Sequence, residues 1–93
     1  MATIFDESVL TTFLVMGFKE DKKSPNIFRK DIKIFKYETN WGKVYDYYSV
    51  SYSNNSKYLY IKNTLWDRAV RYRIKTDDDI IRQLKRYNLY DYI

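Results

Sequence analysis

The sequence predicts an α+β domain, a four-stranded antiparallel meander with two helices on one face, in the order α-β-β-β-β-α. Three observations predict it. Apolar and polar residues alternate with period two from about residue 27 to residue 75, short polar connections interrupt that stretch, and a strongly marked helix start follows it at Thr76. The chain has 93 residues, too few to fill two hydrophobic cores, so residues 1–93 are read as one domain.

The first element reads as a helix. Asp6 or Ser8 can cap it, its apolar residues Val9, Leu10, Phe13 and Leu14 fall at i, i+1, i+4 and i+5, and Gly17 suits the left-handed position after its end. A strand through residues 11–15 is the competing reading. Residues 19–25, Lys-Glu-Asp-Lys-Lys-Ser-Pro, read as a charged loop.

Four strands then follow, over about 28–38, 43–53, 57–63 and 68–75, with turns at Thr39-Asn40-Trp41-Gly42 and Asn54-Asn55-Ser56. Connections this short require antiparallel neighbours, since a parallel crossover needs a dozen or more residues. The closing helix has the clearest signature. Thr76 with Asp79 forms a capping box, Asp77, Asp78 and Asp79 sit at the positive end of the helix dipole, and Arg82, Lys85 and Arg86 load the other end. Ile80, Ile81, Leu84 and Tyr87 supply the face that docks, and Asn88 ends the helix.

Side chains alternate across a strand, so each strand can be sorted into two faces. Val44, Tyr48, Val50, Tyr52, Leu59, Ile61, Val70, Tyr72 and Ile74 share the face expected to meet the helices. The opposite face then carries Tyr45, Tyr47, Tyr58, Tyr60, Lys62, Arg71, Arg73 and Lys75, and these are the candidate binding residues. Asp46 falls on the buried side, where an unpaired carboxylate is costly, and is expected near a strand end or a bulge. The first strand is apolar on both sides, with Ile32 and Ile34 on one and Phe35 and Tyr37 on the other.

Composition narrows the chemistry. There is no His and no Cys, so disulfides, thiolate zinc sites and imidazole or thiol catalysis are excluded. No Walker A loop, GxGxxG or GxSxG occurs, and three consecutive aspartates on a helix point about 100° apart, so capping accounts for them without a metal. No cofactor is expected. The longest apolar run, residues 13–16, is far short of the ~18 that a membrane span needs. With no basic leader at the start of the chain, the expectation is a cytoplasmic protein without a membrane partner.

The formal net charge is +5, from 17 Lys and Arg against 12 Asp and Glu, and there are 11 Tyr, 5 Phe and 2 Trp. Tyrosines interleaved with Arg and Lys can stack on unpaired bases while the cations neutralise phosphates. The same residues are enriched at protein interfaces, and they also stabilise an exposed sheet by cross-strand packing alone. Lys19, Lys22, Lys23, Arg29, Lys30, Lys33 and Lys36, against Glu20, Asp21 and Asp31, form a second basic stretch that could track phosphates or protect an edge strand. Trp41 and Trp66 lie in connections, where each is expected to close an end of the core.

The favoured expectation is a small non-catalytic binding protein. Its partner would be a host protein or nucleoprotein complex, and the short sequence with its AT-rich codon flavour suits a phage or mobile-element inhibitor of a nucleic-acid-handling defence system, in the manner of an anti-CRISPR protein. Direct binding of single-stranded RNA or DNA on the Tyr/Arg face is the second expectation, and pairing of that face with its own copy would give a homodimer. Arg71-Tyr72-Arg73 resembles the RelE/ParE-like toxins along that strand alone, which implies a small ribonuclease as the third. Those folds begin with a longer helical hairpin than the first dozen residues here allow.

Overall fold

A computed structural model describes residues 3–93, with side chains from Val9 onward. Its elements are α1 (Thr3–Val15), β1 (Lys19–Glu20), β2 (Ile27–Thr39), β3 (Gly42–Ser53), β4 (Tyr58–Asn63), β5 (Val70–Arg73) and α2 (Asp77–Arg86), followed by a 3-10 turn at Tyr90–Tyr92. The strands form one antiparallel sheet in the order β1-β2-β3-β4-β5. The α+β class and the two helices agree with the sequence. The strand number does not, because Lys19 and Glu20, read as loop, pair with Arg29 and Phe28 as a fifth strand. Two residues are too few to display an alternation.

The inner face of the sheet is Phe28, Ile32, Val50, Tyr52, Leu59 and Ile61, all buried. Both helices cover it, α1 through Val9 and Phe13 and α2 through Ile80 and Leu84, and the Phe13 ring stacks on Tyr52 with centroids 4.3 Å apart. Val9 and Phe13 lie one turn apart and define the buried stripe of α1, so Leu14, expected in the core, turns about 100° away and is 48% exposed. Residues 11–15 are helical, which disposes of the strand alternative. The helix runs back past Asp6 and Ser8 to Thr3; the side chains of those two expected caps lie outside the described residues.

Both helices end in the same way. Beyond α1, Gly17 (φ 94) and Phe18 donate their N–H groups to the carbonyls of Leu14 and Phe13, and beyond α2, Asn88 (φ 58) and Leu89 donate to Lys85 and Leu84. These are Schellman motifs, and in each the residue past the reversal is buried beside the helix residue it bonds: Phe18 with Phe13, Leu89 with Leu84. α1 has no basic residue in its last turn. Lys30 supplies the cation instead, its Nζ donating to the Met16 carbonyl at 2.7 Å.

The β2–β3 hairpin is longer than the rest of the sheet. β4 pairs with β3 only from Tyr48 to Ser53, so beyond Tyr48 the hairpin continues as a two-stranded arm about 20 Å long. This arm stretches the molecule to 58 × 28 × 23 Å and a radius of gyration of 14.4 Å, against about 12 Å for an evenly rounded chain of this length. A bulge at Lys36 sits midway along it, with Phe35 opposite Tyr45 and Tyr37 opposite Val44. The extra residue changes the phase, so Phe35 and Tyr37, sorted together by simple alternation, lie on opposite faces. Asp46 is opposite Ile34, beside the bulge and not at a strand end, and pairs with Lys36 at 3.7 Å.

Trp41, expected to close the core, forms the tip of the arm and is 97% exposed. The hairpin simply outruns the core that would cover it. Trp66 does close the core, its ring against Tyr48 and Tyr87.

Candidate functional site

The outer face is built by register. Directly opposed residues of antiparallel strands share a face, so the pairs Tyr58 with Arg73 and Tyr60 with Arg71 place two tyrosines against two arginines. Arg71 lies over the Tyr58 ring at 4.9 Å, and the Tyr58 and Tyr60 rings are 6.3 Å apart. At the base of the arm Lys33 caps the Tyr45 ring at 4.1 Å, Phe35 meets Tyr45 edge-on, and Tyr47 follows at 6.3 Å. The eight candidate residues thus fall into two clusters, with Lys62 between them, and one of the eight drops out. Lys75 lies beyond β5, which ends at Arg73. Its backbone N–H is taken by the Asp79 carboxylate in the cap of α2, and this turns the chain out of the sheet before residue 75.

Between the clusters the face is concave. The outward residues of β3 are small there, Ser49, Ser51 and Ser53, because tyrosine gives way to serine after Tyr47. On one side β2 raises Arg29, Asp31 and Lys33, opposite Ser51, Ser49 and Tyr47, and on the other β4 raises Tyr58, Tyr60 and Lys62, opposite Ser53, Ser51 and Ser49. The result is a trough with a serine floor, a basic wall and a tyrosine wall, the walls about 10 Å apart. At its arm end the trough deepens into a depression of about 620 Å³ bounded by Arg29, Asp31, Lys33, Tyr47, Ser49 and Lys62, so one carboxylate lies among its three cations.

Charge is segregated on the same face. Six cations, Lys19, Arg29, Lys33, Lys62, Arg71 and Arg73, and one carboxylate, Asp31, point outward; Glu38 and Lys43, paired on the arm, cancel. That leaves +5, the whole formal charge of the chain, so the remaining residues sum to zero. Asp31 is tied to Arg29 at 3.3 Å. No carboxylate among the described residues pairs with Lys62, Arg71 or Arg73.

No family model, curated protein or solved structure matches this chain.

Part of this face escaped the sequence. Arg29 and Lys33 were visible only within a basic stretch, which the structure divides: Lys19, Arg29 and Lys33 join the outer face, while Lys30 caps α1 and Lys36 pairs with Asp46. The alternation of Arg29, Asp31 and Lys33 in the first strand was the available signal. Within the aspartate run, Asp79 accepts from the N–H groups of Lys75 and Thr76 and meets Arg82 at 3.4 Å. The backbone hydrogen bond from Lys75 chiefly holds the Asp79 carboxyl below the ordinary carboxylate range. Among the described residues no cluster of acidic, histidine or cysteine groups could hold a metal, and no helix is long and apolar enough to cross a membrane.

Proposed function

We propose that this is a non-catalytic binding protein that engages nucleic acid, free or within a nucleoprotein complex, through the outer sheet face. The observation that carries the reading is the concentration of the chain's net charge on that face, interleaved with tyrosine. Each cation that neutralises a phosphate releases condensed counterions, and the rings offer stacking surface. A protein groove shaped for nucleic acid is itself basic and would repel this face. An inhibitor of a host nucleic-acid-handling system built on it would therefore approach the nucleic-acid side of the complex.

The test is the affinity for a labelled 30-mer of mixed sequence as a function of salt. Binding should weaken steeply as salt rises, and Arg71→Ala and Arg73→Ala should each flatten the log–log slope by about 0.7–1. No binding at about 50 mM salt would overturn the reading. A second reading, docking on a protein partner, is favoured by one observation, the 97% exposure of Trp41 at the arm tip. Exposed tryptophans serve as interface anchors. It expects a nuclease-resistant complex that Trp41→Ala weakens and Arg73→Ala leaves intact.

A further inference from the structure

We infer that the serine-floored trough holds one unpaired strand of RNA, its phosphates along the Arg29 and Lys33 wall and its bases on Tyr58 and Tyr60. The inference rests on the nucleic-acid reading above and assigns the form of nucleic acid and its orientation. Width is the first argument. Walls about 10 Å apart admit one backbone with its bases turned to one side, whereas a duplex keeps its bases inside and has no ring to lay on a tyrosine.

The asymmetry of the walls is the second. Arg29 and Lys33 come from β2, Tyr58 and Tyr60 from β4, and β3 separates them throughout. A strand lying along β3 therefore meets cations on one flank and rings on the other, which matches the two sides of a single polynucleotide. The Tyr58 and Tyr60 rings are tilted at 55° and 6.3 Å apart, so they do not stack on one another and each leaves a face for a base. Arg71 occupies one side of Tyr58 and holds that ring in place.

The floor supplies the third argument. The hydroxyls of Ser49 and Ser51 have no partner among the described residues, and as combined donors and acceptors at the bottom of the trough they suit the ribose 2′-hydroxyl, the group that separates RNA from DNA. Ser53 is buried, its hydroxyl accepting the Ser56 N–H, so the open floor runs from Ser51 to Tyr47, about 13 Å, room for roughly two or three nucleotides. The deeper end, about 620 Å³ and lined by Arg29, Lys33 and Lys62 with Asp31 held by Arg29, falls in the size range of small-ligand pockets and takes the terminal nucleotide of that run.

The experiment compares a labelled 12-mer of mixed-sequence RNA with the same strand annealed to its complement and with the DNA strand. The RNA strand should bind at least tenfold more tightly than the duplex and measurably more tightly than the DNA. Ser51→Ile fills the floor with a good strand former and should weaken RNA binding at least tenfold with an unchanged or higher melting temperature. Equal binding of duplex and strand, or an unaffected Ser51→Ile variant, would overturn the trough while leaving the basic face as a nucleic-acid site. Equal binding of the DNA strand would overturn the assignment to RNA. If none of the three probes binds, this inference and the function it rests on fail together.

Discussion

Thr76 shows how much one side chain can settle. Its hydroxyl accepts the Asp79 N–H, Asp79 returns to the Thr76 and Lys75 N–H groups, and the start of α2 is closed in both directions. Thr76→Ala should cost about 1 kcal/mol, read as a fall of about 4–8 °C in melting temperature for a domain of this size. Because the Asp79 carboxyl is held low in the folded state, its ionisation stabilises the fold above the unfolded pKa of about 3.9. That contribution disappears as pH falls through the lower folded value. The stability difference between wild type and Asp79→Asn should therefore be constant above about pH 5 and shrink below the ordinary carboxylate pKa. Phe13 stands at the other extreme, fully buried between Tyr52 and Phe18. Phe13→Ala should cost about 3–5 kcal/mol by denaturant titration, a large share of what so small a domain possesses.

The arm beyond Tyr48 is the element whose behaviour departs most from the rest. Among the described residues no third strand pairs with it, and an isolated two-stranded hairpin is marginal in water. What holds it is the turn, where the Thr39 hydroxyl donates to the Gly42 carbonyl at 3.0 Å and accepts the Trp41 N–H, together with the Phe35–Tyr45 and Lys33–Tyr45 contacts and the Lys36–Asp46 pair. Hydrogen exchange should find the amides of residues 42–46 opening well below the global unfolding free energy, while those of Val50 and Ile61 open near it. Equal protection along β3 would mean that the arm folds as part of the core. Trp41→Ala should leave stability within about 0.5 kcal/mol, since the ring touches solvent almost all round.

For the molecule as a whole, the division between faces matters more than any single contact. One side of the sheet is sealed by α1, α2 and the aromatic cluster around Phe13 and Tyr52. The other is free of helices, carries the net charge and is held together by its own cross-strand pairs. Those pairs stabilise the face by only about 0.2–1 kcal/mol each, so they pre-order the rings and cations at small cost to any ligand that displaces them.

Much of this was legible in the chain. The hairpins, the capped α2, the reversals at Gly17 and Asn88 and the Tyr/Arg grouping of Tyr58, Tyr60, Arg71 and Arg73 follow from local chemistry, since alternation, caps and turn residues act over a few positions. What depended on long-range register was not legible. The bulge that parts Phe35 from Tyr37, the recruitment of Lys19 and Glu20 into the sheet and the alignment of Arg29 and Tyr60 on either side of Ser51 relate residues up to about 30 positions apart. Exposure of Trp41 belongs with them, because it depends on where β4 stops and not on the residues of its own turn. Sequence alone determined which residues share a face in the regular stretches of β3, β4 and β5; tertiary structure alone decided where the bulge in β2 breaks that sorting and that the small residues of β3 lie between a basic wall and a tyrosine wall. A trough is a relation among three strands, and period two speaks for each strand only by itself.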